Sequence, residues 1–175
     1  MKDNFDSSKL RKPKKRRINS RKKGNTFENK VCKLLNDRFE TNEFCRTPGS
    51  GAFATTHSLP EHMKVYGDLI TPLNFKFVVD CKKGYNEEAL STLFNKKSRF
   101  WEFVAQVERD AEKAGRLPLI IWQQDRKSIL AAFPSSEFGE QGLNNKINIQ
   151  IFNKSWTIIL LDNIINLNNY YWYNN

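Results

Sequence analysis

The chain is poor in the residues that build zinc cages and disulfide frameworks. Its 175 residues include two histidines, His57 and His62, and three cysteines, Cys32, Cys45 and Cys81. An odd number of cysteines without paired spacing argues against a disulfide framework and fits a reducing compartment. Cysteines so scattered, with two histidines, do not compose a Cys/His zinc cluster. No run of 18 apolar residues exists, and the longest aliphatic stretch, Trp156 to Leu161, is strand-sized, so a transmembrane helix is not expected. The charged N-terminus has no apolar segment behind it, which argues against a secretory signal. The expected location is cytoplasmic, or nuclear if the host has a nucleus and reads the basic cluster as an import signal.

Acidic residues are scarce at one end only. Residues 1–23 carry 11 basic and 2 acidic side chains, whereas residues 24–175 carry 18 and 17. The formal charge of +10 therefore describes a basic tail on a nearly neutral body. A segment with almost no apolar side chains cannot offset its ordering entropy, so residues 1–23 read as disordered when free. Arg11, Lys12, Lys14, Lys15, Arg16, Arg17, Arg21, Lys22 and Lys23 then form a phosphate-binding arm, with a merely solubilising tail as the bland alternative. The remaining length suits one domain. The expected division is a tail at 1–23, a core at 24–133 and a C-terminal extension at 134–175 packed on that core.

Apolar residues at Phe27, Val31, Leu34 or Leu35 and Phe39 predict a helix starting near Asn25-Thr26. A short extended piece, Glu43 to Arg46, leads into the breaker-rich loop Thr47-Pro48-Gly49-Ser50-Gly51, and 52–64 show no period. Val65 to Ile70 and Phe75 to Lys82 read as two strands joined by Thr71-Pro72-Leu73-Asn74. In the second strand Phe75, Phe77, Val79 and Cys81 share one face, and Lys76, Val78, Asp80 and Lys82 the other. A longer helix lies between Glu87 and Ala114, with Phe100, Val104, Val107, Ala111 and Ala114 as its buried stripe and Gly115 as its stop. Leu117 to Gln123 and Ser128 to Phe133 are two further strands. In residues 144–175, where 10 of 32 positions are Asn, Ile147 to Phe152 and Trp156 to Leu161 predict a terminal hairpin.

The chemistry centres on Asp68 and Asp80. If the turn is centred near Leu73-Asn74, residues whose numbers sum to about 147 oppose one another, which puts Asp68 beside Val79 and Asp80. Two carboxylates there repel unless something positive lies between them. Mg²⁺ is the natural candidate, with Mn²⁺ as its substitute, because it takes carboxylate oxygens and keeps waters. Lys82 shares the face of Asp80 and is placed to orient a water or to stabilise transition-state charge. A solvated strand face is the bland alternative. Gly67 permits close backbone approach before Asp68, Glu28 sits at the edge of the first helix's apolar stripe, and Gln106 lies between Val104 and Val107.

Taken together, Gly24-Asn25-Thr26-Phe27-Glu28, Arg46-Thr47-Pro48-Gly49-Ser50-Gly51, Gly67-Asp68, Asp80-Cys81-Lys82-Lys83 and Gln106 resemble the PD-(D/E)xK nuclease superfamily. Their order most resembles archaeal-type Holliday-junction resolvases, which phages also carry in related forms, over residues 24–133. The resemblance implies an α/β fold with a mixed central sheet flanked by helices, an αβββαβ core of the restriction-endonuclease kind, here with a C-terminal β-hairpin appendage. It implies Asp68, Asp80 and the Cys81 carbonyl as metal ligands, Glu28 as the acid completing the shell, and Lys82 as the catalytic lysine. Ser50 matches a loop serine near the scissile phosphate, and Arg46 and Gln106 match accessory positions. Lys83, and less specifically Lys96, Lys97 and Arg99, line the expected DNA path; His57 and His62 read as loop residues. The second acid is Asp where such resolvases more often have Glu, and the segment from Ser50 to Asp68 is longer than in compact archaeal forms.

The function expected is a Mg²⁺-dependent, structure-selective endonuclease, a homodimer acting on four-way DNA junctions. Two alternatives stay open: another nuclease of the superfamily, of restriction, repair or transposition type, and a non-catalytic nucleic-acid-binding protein that keeps the fold.

Overall fold

The computed structural model describes residues 19–48, 65–95, 97–137, 143–151 and 153–174. Its elements are α1 (Ser20–Phe39), β1 (Cys45–Arg46), β2 (Leu69–Ile70), β3 (Phe77–Lys83), α2 (Leu90–Leu93), α3 (Arg99–Ala114), β4 (Leu117–Gln123), β5 (Leu130–Pro134), β6 (Lys146–Ile151), β7 (Lys154–Leu160), α4 (Leu161–Ile164) and a 3₁₀ turn at Asn169–Tyr171. One five-stranded sheet runs in the order β3-β4-β5-β7-β6. β3 and β4 are parallel, joined through α3, and every other pair is antiparallel. The fold is therefore α/β with a mixed sheet flanked by helices, consistent with a restriction-endonuclease-like core.

Strand alternation decides what each face buries. Phe75, Phe77, Val79 and Cys81 face α1, where they join Phe27, Val31, Cys32 and Leu35 in one core. Val78 and its face-mates Ile120, Trp122 and Ile158 meet Phe100, Val104, Val107 and Ala111 of α3 in a second. Residues beyond β7 close the first core: Leu161, Ile164 and Trp172 are fully buried there. Trp172 lies stacked at 6.1 Å from Phe75 and edge-on at 5.8 Å from Phe39. Arg38, in the last turn of α1, ties this segment down by donating to the carbonyls of Ile165 and Leu167.

Several boundaries differ from the sequence expectation. α1 begins at Ser20, not near Asn25, because Asn19 caps it: its side chain accepts from the Lys22 N–H. Residues 19–23 of the expected tail are thus cap and first turn, while 1–18 lie outside the described residues. The expected strand Val65 to Ile70 shrinks to Leu69–Ile70, which pairs with β1 instead of forming a ladder with β3. The single long helix divides at 94–98, where Ser98 caps α3 by accepting from the Phe100 N–H. Gly115 ends α3 in the left-handed conformation, as expected. The terminal hairpin is present, and it is continuous with the sheet, β7 pairing with β5.

Candidate active site

β3 is an edge strand, so helices on both faces of the sheet and the β1–β2 layer beside it can all reach its end. Asp80 is on the α3 side and 1 % exposed. Asp68 comes from the turn before β2: its N–H donates to the Val79 carbonyl at 2.9 Å, and its Oδ2 accepts from the Cys81 N–H at 2.7 Å. Asp68 is therefore brought beside β3 near the expected level, but through one backbone bond to Val79 and one side-chain bond to Cys81, without the expected hairpin ladder.

Two residues make that approach possible. Gly67 has a φ of +78°, and a Cβ there would lie 2.6 Å from the Val79 carbonyl oxygen and 2.8 Å from Val78 Cγ1. Only glycine fits both the backbone angle and the gap. Buried Thr47 fastens the other side, its N–H donating to the Asp68 carbonyl at 2.9 Å and its hydroxyl to the Gly67 carbonyl at 3.2 Å.

Lys82 Nζ donates to Asp80 Oδ1 at 2.8 Å and to Gln106 Oε1 at 3.3 Å, and lies 5.3 Å from the centre of the Phe103 ring. Glu28 enters from α1, buried, with Arg46 Nη1 3.7 Å from its Oε2. Glu28, Asp68, Cys81 and Lys82 line one hollow of about 460 Å³. Lys83, at the end of β3, and Lys23, on the first turn of α1, line it too. Arg21 and Lys22 are exposed beside them. Lys97 and Arg99 are also exposed, with Arg99 reaching over the Tyr85 ring at 5.8 Å. Ser50, His57, His62, Lys96, Arg11, Lys12, Lys14, Lys15, Arg16 and Arg17 lie outside the described residues.

The electrostatics follow from burial. Desolvation, reinforced by the Asp68 charge, pushes the Asp80 carboxyl up to about 7. Burial likewise raises Asp68 and Glu28 above the ordinary carboxylate range, Asp68 adding to the effect on Glu28. For Lys82, burial works to lower the pKa, but the charge and hydrogen bond of Asp80 outweigh it, so the amine stays protonated at neutral pH. Burial also pushes the Cys81 thiol well up, which makes it a core side chain, not a nucleophile.

Sequence reading did not single out Asp110 as a site residue and marked Thr47 only as part of the loop motif. The Asp110 charge raises the pKa of both Asp68 and Asp80. It lies one helical turn beyond Gln106, and that i, i+4 spacing is the signal that marks it.

The fit to a divalent cation rests on two unsatisfied atoms. Glu28 Oε2 and Asp80 Oδ2 are buried and accept no hydrogen bond among the described residues. Arg46 stands 3.7 Å from the first and Lys82 bonds the other oxygen of Asp80, so both atoms keep acceptor capacity for a further cation. No three His, Cys, Asp or Glu side chains among the described residues converge into a ready-made cage. The donor set therefore suits a hard ion held by one or two carboxylates with waters retained, the habit of Mg²⁺.

An edge strand bearing Asp-Cys-Lys, a second aspartate brought beside it by a glycine turn and an acid from the first helix define a nuclease of the PD-(D/E)xK superfamily. The chain belongs to the family described as "Phage putative PDDEXK endonuclease", whose model matches residues 19–172. It is similar to Protein D14 of Escherichia phage T5, with 28% identity over 148 residues, 82% of this chain and 88% of that protein. No solved structure matches. The match extends past β5 to residue 172, so it takes in the terminal strands and Trp172.

Proposed function

We propose that the chain is a metal-dependent, structure-selective DNA endonuclease, a homodimer that resolves four-way junctions. The observation that carries the catalytic part is the pairing of Asp80 with Asp68 on an edge strand, Lys82 Nζ 2.8 Å from Asp80. Asp68 and Asp80 would hold the divalent cation, with the Cys81 carbonyl as a further oxygen donor and Glu28 completing the shell through a retained water. When bound, the ion supplies a water of lowered pKa and neutralises charge on the phosphate. The protein's own groups do the rest. Lys82, kept charged by Asp80 and steadied by Gln106, stabilises negative charge developing on the phosphoryl oxygens. Arg46 pairs with Glu28, and Lys23 and Lys83, which line the hollow, draw the strand backbone in.

The ordered resemblance to resolvases supports the junction reading. Selectivity would come from the spacing of two sites in a dimer, and the basic tail would add affinity for phosphate on any DNA. Incubation of the full chain with Mg²⁺ or Mn²⁺ and labelled four-way junctions, flaps and linear duplex tests it. Paired symmetric nicks confined to the junction are expected. Equal cutting of linear duplex would replace the resolvase reading with a duplex nuclease of the same superfamily. A clean preparation that binds DNA and never cuts would leave a binding protein.

A further inference from the structure

Three hollows meet at one ionic knot beside the candidate active site. The catalytic hollow and a second groove of about 390 Å³ share two residues, Lys23 and Lys83. The second groove adds Lys22, Lys30 and Gln123 beside Phe27, and no acid among the described residues lines it. A third hollow, on the far side, is lined by Asn86, Asp125 and Arg126. Asp125, from the turn between β4 and β5, sits at the junction: its Oδ2 accepts from Lys23 Nζ at 2.6 Å and from Asn86 Nδ2 at 2.9 Å, and its Oδ1 lies 3.7 Å from Lys83 Nζ.

Two lysines and an amide converging on one carboxylate are the donors that converge on a phosphate. Lys83 is held ready for it, since Nζ also donates to Gln123 Oε1 at 3.1 Å and to the Gln124 carbonyl at 3.2 Å. The Asp125 side chain is 40% exposed, unlike the deeply buried Asp80, so solvent and a ligand can reach and displace it. Both lysines are partly buried, but the open carboxylate lets solvent screen the two pairs, which lowers the cost of displacing it.

We propose that Lys23, Lys83 and Asn86 form a second phosphate subsite for the DNA strand, and that Asp125 holds the place of that phosphate until DNA arrives. The strand then runs from the catalytic hollow across the first turn of α1 into the Lys22–Lys30 groove. Asp125 is a built-in competitor that lowers affinity for DNA in general and leaves tight binding to substrates that also engage the rest of the surface. The proposal rests on the nuclease reading above and concerns binding alone.

The test uses the full chain in EDTA, with labelled duplex and four-way junctions of mixed sequence. Asp125→Asn keeps a hydrogen-bond acceptor for Asn86 and removes the charge, and should tighten binding by about three- to tenfold at fixed salt. Lys23→Ala should weaken binding more in the Asp125→Asn background than in the wild type, because there the lysine no longer has to leave a carboxylate. Unchanged or weaker binding by Asp125→Asn, with thermal stability lost, would make Asp125 a structural pin and overturn the proposal. So would the opposite sign of coupling, in which Lys23→Ala costs less once Asp125 is gone. If the wild type cuts DNA and these variants behave as a pin, the proposal fails alone; if the wild type binds no DNA, the nuclease reading fails with it.

Discussion

The Asp68 amide donates to the Val79 carbonyl across 2.9 Å, and that one bond sets two carboxylates side by side. It exists because residue 67 has no side chain. Gly67→Ala would drive a Cβ to within 2.6 Å of the Val79 oxygen at a φ of +78°. A loss of about 1–3 kcal/mol is expected, with cleavage falling further than the folded population. Denaturant unfolding beside a single-turnover cleavage assay separates the two; full activity in a folded variant would contradict the close-approach argument.

Asp80 makes metal-free stability depend on pH. Its folded pKa of about 7 exceeds the unfolded value of about 3.9. The contribution is fully present below about pH 4 and is lost by about 7, because between those values the folded state holds a proton that the unfolded chain has released. Melting temperatures of wild type and Asp80→Asn in EDTA, from pH 5 to pH 8, should shift steadily in the variant's favour. Added Mg²⁺ should narrow the gap by stabilising the wild type alone. A pH-independent difference would count against a buried, raised carboxyl.

Lys82→Ala removes the cation between Asp80 and Gln106 and should cut the cleavage rate at saturating DNA by at least about 10²-fold. Junction affinity in EDTA should stay within about threefold, since one half-buried amine adds little to a surface of exposed lysines. Arginine at this position is not a rescue, because its planar fork cannot replace a point charge packed against Phe103. Wild-type cleavage by Lys82→Ala would remove the lysine from the mechanism.

Trp172 is fully buried between Phe39 and Phe75. Trp172→Ala should cost about 3–5 kcal/mol. Removal of residues 161–175, which also strips Leu161 and Ile164 from the core, should abolish cooperative unfolding by calorimetry. A stable, active truncation would show that the core closes without them.

Much of the fold could be read from alternation alone. β4 spans the expected Leu117–Gln123, and the two faces of β3 divide as the spacing indicates because each face is buried against a different helix. Asp68, Asp80, Lys82 and Gln106 were recognisable and do come together, since three of them ride on regular elements. The misses have two causes: local caps at Asn19 and Ser98 that the apolar spacing overlooks, and dependence on distant partners. The first turn of α1 looks like more basic tail until Lys23 meets Asp125, 102 positions away. Thr47 is an ordinary polar residue until the fold bonds it to Gly67 and Asp68, and Asp110 until its charge comes near enough to raise Asp68 and Asp80. The break before α3 depends on buried Glu88, which accepts from the Ser98 hydroxyl at 2.6 Å and from Thr92 at 3.0 Å.

The sheet order gives the molecule a working margin and a growing margin. Chemistry gathers at β3, and β6 lies at the other end, four strands away. New strands, insertions or fused domains added at β6 extend the sheet without crossing the catalytic hollow. Growth confined to the β6 margin would thus leave the acids and the lysine in position, whereas the segment after β7 is held in place by the core that it closes.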